Sequence, residues 1–134
     1  MTSKGTAAEG ILLKMLLQRG IEAEHGSPSS PGDIIVPPNV IIEVKDPKAN
    51  SYSFKQHSGK GEAQWKALKA KKEAFPWLDI YYVVRFERKE WKFFSFPDTS
   101  KPLRMQDGLD LGQLFSSLLE KQNSLMAIVG GVIQ

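Results

Sequence analysis

Two β-branched runs, Asp33-Ile34-Ile35-Val36 and Val40-Ile41-Ile42-Glu43-Val44-Lys45, are separated only by Pro37-Pro38-Asn39. β-Branched residues favour extended backbone, and a three-residue link with two prolines leaves room for nothing but a turn. The chain must therefore double back here as two antiparallel strands, and the rest of the fold has to be built around that hairpin. Successive side chains along a strand alternate between its two faces. Glu43 and Lys45 thus share one face while Val44 points into the core, and Asp33 can lie beside Glu43.

Before the hairpin, Thr6 to Arg19 reads as a helix, because Ile11, Leu12, Met15 and Leu16 recur at three- and four-residue steps and Gly20 can supply a left-handed stop. Ile21 to His25 alternates apolar and polar residues, as a short half-exposed strand would, and Gly26-Ser27-Pro28-Ser29-Ser30-Pro31-Gly32 then forms a loop. After the hairpin, Asp46 to Lys60 is expected to be an exposed loop. Gly61 to Phe75 has helical spacing through Ala63, Ala67, Leu68 and Ala70, with its lysines mostly off the apolar side. Asp79 to Phe86 and Trp91 to Phe96 are aromatic and β-branched, joined by the charged turn Glu87-Arg88-Lys89-Glu90 as a second hairpin. A last helix is expected from Leu109 to Asn123. The apolar tail Leu125 to Val132 reads as an edge strand or, preferably, as a patch covered by another subunit. This order predicts a mixed α/β fold, with helices packed on a central mixed β-sheet.

A length of 134 residues suits one domain spanning the whole chain, 1–134. With 41% apolar and 25% charged residues, and no apolar run long enough to cross a bilayer, a soluble protein with no membrane partner is expected. Met1 to Gly10 lacks the charged-then-hydrophobic layout of a secretory signal, which leads to a cytoplasmic expectation. The absence of cysteine excludes disulfides, thiolate metal sites and cysteine nucleophiles, and leaves only His25 and His57 as imidazoles, so a zinc site is not expected. The 18 basic and 15 acidic residues nearly balance, but they are not evenly spread. Between Lys45 and Lys72 eight lysines face only Asp46 and Glu62. That concentration can attract a polyanion, or it can be the solvated face of one helix.

Two carboxylates brought together on neighbouring strands repel one another unless a cation sits between them. Oxygen ligands of this kind suit Mg²⁺, for which Mn²⁺ can substitute. The outward main-chain carbonyl of Val44 is a natural further ligand. Lys45 can hold or help deprotonate a water and stabilise charge at a phosphate.

Asp33, followed after a short turn by Glu43-Val44-Lys45, resembles the PD-(D/E)xK nuclease superfamily, with Gly32 where a proline is usual. Together with Glu9 on the preceding helix, the Gly/Ser-rich loop before Asp33 and a lysine-rich helix bearing Gln64, the segment Lys4 to Phe96 is similar to the archaeal Holliday-junction resolvases. The resemblance implies a restriction-endonuclease-like sheet, a Mg²⁺-dependent DNA endonuclease, and four-way junctions as substrate. A homodimer is expected with it, since paired cuts across a two-fold junction need paired sites. It also implies that Glu9 completes the metal site, that Asp33 and Glu43 are metal ligands, and that Lys45 is the catalytic lysine. One of Ser27, Ser29 or Ser30, with Ser30 as the catalytic candidate, would contact the scissile region. Where the family carries arginines this chain has Gly10 and His25. Lys4, Lys55, Lys60, Lys66 and Lys69 can compensate as phosphate contacts, with His25, Ser27 and Gln64 also expected at the DNA.

Each residue has a plainer reading. Thr6-Ala7-Ala8-Glu9 also fits a capping box, the serines can be turn formers, Gln64 can be an exposed helix residue, His57 a loop residue without a role, and Trp65 a packing residue beside Leu68. Two other functions share these features: a restriction, repair or mobile-element endonuclease acting on other DNA, and a non-catalytic basic DNA-binding module whose acidic residues are accidental.

Overall fold

The computed structural model describes residues 4–55 and 59–133. In chain order these form α1 (Lys4–Gln18), β1 (Glu24–His25), β2 (Ile34–Val36), β3 (Val40–Lys45), β4 (Ser51–Tyr52), α2 (Lys60–Ala74), β5 (Asp79–Phe86) and β6 (Glu90–Ser95). They continue as β7 (Leu103–Arg104), a 3₁₀ turn at Met105–Asp107, β8 (Leu109–Asp110) and α3 (Leu111–Ile133). Six strands make one sheet in the order β1-β2-β3-β5-β6-β8, and β4 pairs with β7 as a separate ribbon. Within the sheet β3 and β5 run parallel and the other neighbours antiparallel. A parallel pair needs a long crossover, and the segment containing β4 and α2 supplies it.

The middle of this sheet is covered on both faces, which is why β3 reads as an almost unbroken apolar run. Val40, Ile42 and Val44 pack with Ala8, Leu12 and Leu16 of α1 and with Leu111, Leu114, Phe115 and Leu118 of α3. Ile41 points the other way and joins Leu68 of α2, Ile80, Tyr82 and Val84 of β5, and Tyr52, Phe54 and Leu103. Each fully buried leucine contributes about 2 kcal/mol by leaving water. The stripe that α1 buries is Ala8-Leu12-Leu16 rather than the expected one through Ile11, which is 43% exposed.

Several boundaries differ from the expectations. Only Glu24 and His25 of the segment Ile21 to His25 pair as a strand; Ile21 is drawn back onto the helix end, its N–H on the Leu16 carbonyl at 3.0 Å past Gly20 at φ +78°. The expected loop Asp46 to Lys60 contains β4, whose partner β7 lies fifty residues on and gives no local signal. His57 lies outside the described residues. Leu109 and Asp110 are taken by the sheet edge against β6, so α3 starts two residues late. The edge-strand reading of the tail fails: α3 runs on to Ile133, because no proline interrupts it and Gly130-Gly131 lowers helix propensity without forbidding the helix. Helix α1 passes through Thr6, which puts Glu9 in its interior and excludes the capping box.

Candidate active site

The β2–β3 register decides which side chains meet. Ile34 pairs with Ile42, and Asp33, one residue before β2, still places its N–H on the Ile42 carbonyl at 3.0 Å. That carbonyl belongs to the partner of Ile34, and the Asp33 carbonyl turns the opposite way to the Gly26 N–H, so the regular ladder ends at Ile34 and Asp33 sits as a bulge beside the strand end that carries Glu43. Alternation turns Glu43 to the face that carries Ile41 and α2, and Asp33 comes close enough at the hairpin end for its charge to act on the Glu43 carboxyl. One carboxylate oxygen of Asp33, Oδ2, accepts the Val44 N–H at 2.7 Å. A strand residue sends its N–H and C=O to the same edge. The Val44 carbonyl therefore faces the Asp33 side of β3, past the end of the β2 ladder.

Two glycines allow this close approach. Gly32 has φ +103°, and a Cβ there would strike Cγ2 of Ile41. A proline ring holds φ near −65° and cannot take that conformation, so a glycine stands before the aspartate. Gly26 donates its N–H to the Asp33 carbonyl at 2.9 Å, and a Cβ on it would come within 2.5 Å of the Gly32 carbonyl oxygen.

Glu43 is only 3% exposed. Its Oε2 lies 3.0 Å from Lys45 Nζ, and that ammonium also donates to the side-chain oxygen of Gln64 on α2 and lies 5.5 Å from the centre of the Tyr52 ring. Burial first, and then the Asp33 charge, push the Glu43 carboxyl up to about 7, with Lys45 opposing them. Burial would lower the Lys45 ammonium, but Glu43, Tyr52 and Asp33 outweigh it and hold the group charged. Glu9 reaches the same place from α1. Burial pushes its carboxyl up against the hydrogen bond from the His25 ring, and Asp33 adds to the rise.

These groups line a cleft of about 640 Å³ bounded by Glu9, the loop from Gly26 to Gly32, Asp33, Glu43 and Gln64. Among the described residues no three acidic or imidazole side chains already stand as a metal cage. The reason is visible in the bonding: Asp33 is turned to the Val44 N–H, Glu43 to Lys45 and Glu9 to His25.

The expected site residues fall into distinct places. Glu9, Asp33 and Glu43 line the cleft, and Lys45, outside that lining, contacts it through Glu43 and Gln64. Ser27 and Ser30 are exposed on the lining loop, where the Ser30 N–H meets the Ser27 carbonyl at 3.1 Å and the hydroxyls of Ser27 and Ser29 are 3.0 Å apart. His25 and Gln64, both expected at the DNA, are bonded to Glu9 and Lys45 respectively. Lys55, Lys60, Lys66 and Lys69 are exposed and outside the cleft lining, with Lys69 Nζ 5.3 Å from the Trp65 ring. The Lys4 side chain lies outside what the structure describes. Trp65 is a packing residue, stacked on Phe96 with its indole N–H on the Pro97 carbonyl at 2.8 Å.

Sequence reasoning missed three contributors. Tyr52, read as loop, lies under Lys45. Tyr82 stands in register with Glu43 on β5, and its buried hydroxyl has no partner. Asp46 is held by Arg85 through two bonds of 2.9 and 2.7 Å, which pins the chain immediately after Lys45 to β5. Only an acid next to the lysine and an arginine on a buried strand hinted at this last pair.

No family model and no curated protein matches the chain. Among solved structures it is similar to Hjc of Archaeoglobus fulgidus, a Holliday junction resolvase from an archaeal hyperthermophile. The two superpose with a TM-score of 0.62 over 85% of this chain and 97% of that one, at 23% sequence identity. The chain has the fold of a Holliday junction resolvase. The resolvase fold accounts for the mixed sheet and its flanking helices.

Proposed function

We propose that the protein is a metal-dependent endonuclease that resolves four-way DNA junctions by paired nicks. The reading is carried by one observation: Asp33 and Glu43 come together at the end of the β2–β3 hairpin, with an ammonium on Glu43, at the wall of an open cleft. The resolvase fold supports the choice of substrate.

The donor set fits a hard divalent cation. Three carboxylates share the cleft, and burial, with repulsion from Asp33 added to it, pushes the Glu43 carboxyl up to about 7. Asp33, Glu43, the Val44 carbonyl and Glu9 would hold Mg²⁺ or Mn²⁺ through oxygen alone. When bound, such an ion supplies Lewis-acid polarisation of a phosphodiester and activates the attacking water. The chain's own groups do the rest. Lys45, kept charged and held by Gln64, presents a cation where negative charge develops on the phosphoryl oxygens. Its contact with Glu43 keeps the two groups of the reaction in one fixed geometry, and the Asp46–Arg85 pair holds the strand end that carries them. The exposed lysines of α2 bind phosphates without reading bases. Two sites in a symmetric dimer would cut opposed strands.

The test is cleavage of a synthetic four-way junction beside a duplex of the same sequence, with Mg²⁺, by the unaltered chain and by Asp33→Asn. The junction should be cut with strong preference, and Asp33→Asn should bind it but lose cleavage by about 100-fold or more. Equal cutting of the duplex would point to a restriction or repair substrate. Binding with no cleavage by either protein would leave a non-catalytic DNA-binding module.

A further inference from the structure

His25 has no role in the chemistry above, although its ring is bonded to Glu9. Strand β1 is only two residues long, yet it is fixed in register, with His25 opposite Ile34. The Gly26 N–H on the Asp33 carbonyl and the tight contact of Gly26 with Gly32 lock the chain on the other side of His25. The imidazole is thus held at a set distance from the Asp33 end of the hairpin and reaches out to α1. There its Nδ1 meets Oε2 of Glu9. Glu9 is largely shielded, its side chain 17% exposed, whereas the ring is 54% exposed and open to solvent on its far side.

From this geometry we infer that His25 is a positioning residue for Glu9, bonding one carboxylate oxygen so that the other is presented to the cleft where Asp33 and Glu43 lie. The inference rests on the metal-dependent reading of that cleft. It is a different role from the DNA contact expected for this position, because it uses Nδ1, the ring nitrogen that meets the carboxylate. A glutamate side chain on a helix has three rotatable bonds, and an acid in a cleft with two other acids is repelled outwards unless something holds it. A fixed donor on the edge strand does so. Groups that orient a metal-binding carboxylate affect metal affinity even though they never touch the ion.

The experiment is calorimetric titration of the full chain with Mn²⁺ in the absence of DNA, comparing the unaltered protein with H25A, H25N and H25Q, each checked by thermal melting. Asparagine places its amide nitrogen one bond from Cγ, as Nδ1 is, whereas glutamine carries it one bond further. H25A and H25Q should bind Mn²⁺ about 10-fold more weakly. H25N should restore most of the affinity, and junction binding in EDTA should be the same for all four. Unchanged or tighter Mn²⁺ binding by H25A would overturn the inference, as would H25N behaving like H25A. Weaker junction binding in EDTA with normal Mn²⁺ affinity would return His25 to the DNA. If H25A does not fold, H25N against H25Q makes the same comparison. Absence of Mn²⁺ binding by the unaltered chain would remove the metal site itself, a different failure from loss of the His25 effect.

Discussion

At the scale of residues, the candidate site is a set of charges that protein partners only partly satisfy. Glu43 is buried beside Asp33 and has one ammonium to offset both. Its folded-state acidity lies near 7 against an ordinary value of 4.5. The folded state therefore holds a proton that the unfolded chain has already released between those values. By linkage the stabilising contribution is fully present below about pH 4.5 and is lost as pH rises towards 7. Metal-free protein should melt several degrees lower at pH 8 than at pH 5 because of this group, and Glu43→Gln should flatten the difference. Thermal melts in EDTA across that range check it. A pH dependence identical in Glu43→Gln would mean the carboxyl is not perturbed. That Asp33 and Glu43 would lie near each other was legible from the tight turn between two β-branched runs. The partners of Gln64 and His25 were not, since nothing in a helix face or a two-residue strand states which acid or amine it will meet.

At the scale of elements, the parts that read clearly were those with enough local signal. Strands β3 and β5 begin and end where their β-branched runs do, and α2 is displaced by a single residue from its expected span. The short strands were illegible because their partners are remote: Ser51–Tyr52 looks polar and turn-like until Leu103–Arg104 lies against it. Leu109–Asp110 likewise belongs to a helical pattern that the sheet edge overrides. The hairpin depends on Gly32, which has positive φ and no room for a Cβ beside Ile41. Gly32→Ala should destabilise the protein by about 1–3 kcal/mol, from backbone strain and the clash together. Urea denaturation measures it, and a neutral effect would show that the segment can relax away from the described path.

At the scale of the whole molecule, the proposed function requires the cleft and the lysines of α2 to share one substrate. No described helix is long and apolar enough to cross a membrane. The clustering of eight lysines between Lys45 and Lys72 was visible in the sequence, but whether they faced one ligand was not. The structure leaves Lys66 and Lys69 exposed on α2, the helix that also carries Gln64 into the cleft. If they contact phosphates, junction affinity should fall linearly on a log–log plot against salt, and a Lys66→Ala/Lys69→Ala double variant should shorten that slope by about 2. An unchanged slope would assign these lysines to solvent.

The most direct test is a crystal soaked in Mn²⁺ and measured at an anomalous wavelength. One peak bonded by both Asp33 and Glu43 is expected, weakened or lost in Asp33→Asn. Saturating Mn²⁺ with no density between those carboxylates, or density only at other sites, would contradict a shared cation and with it the hydrolytic reading.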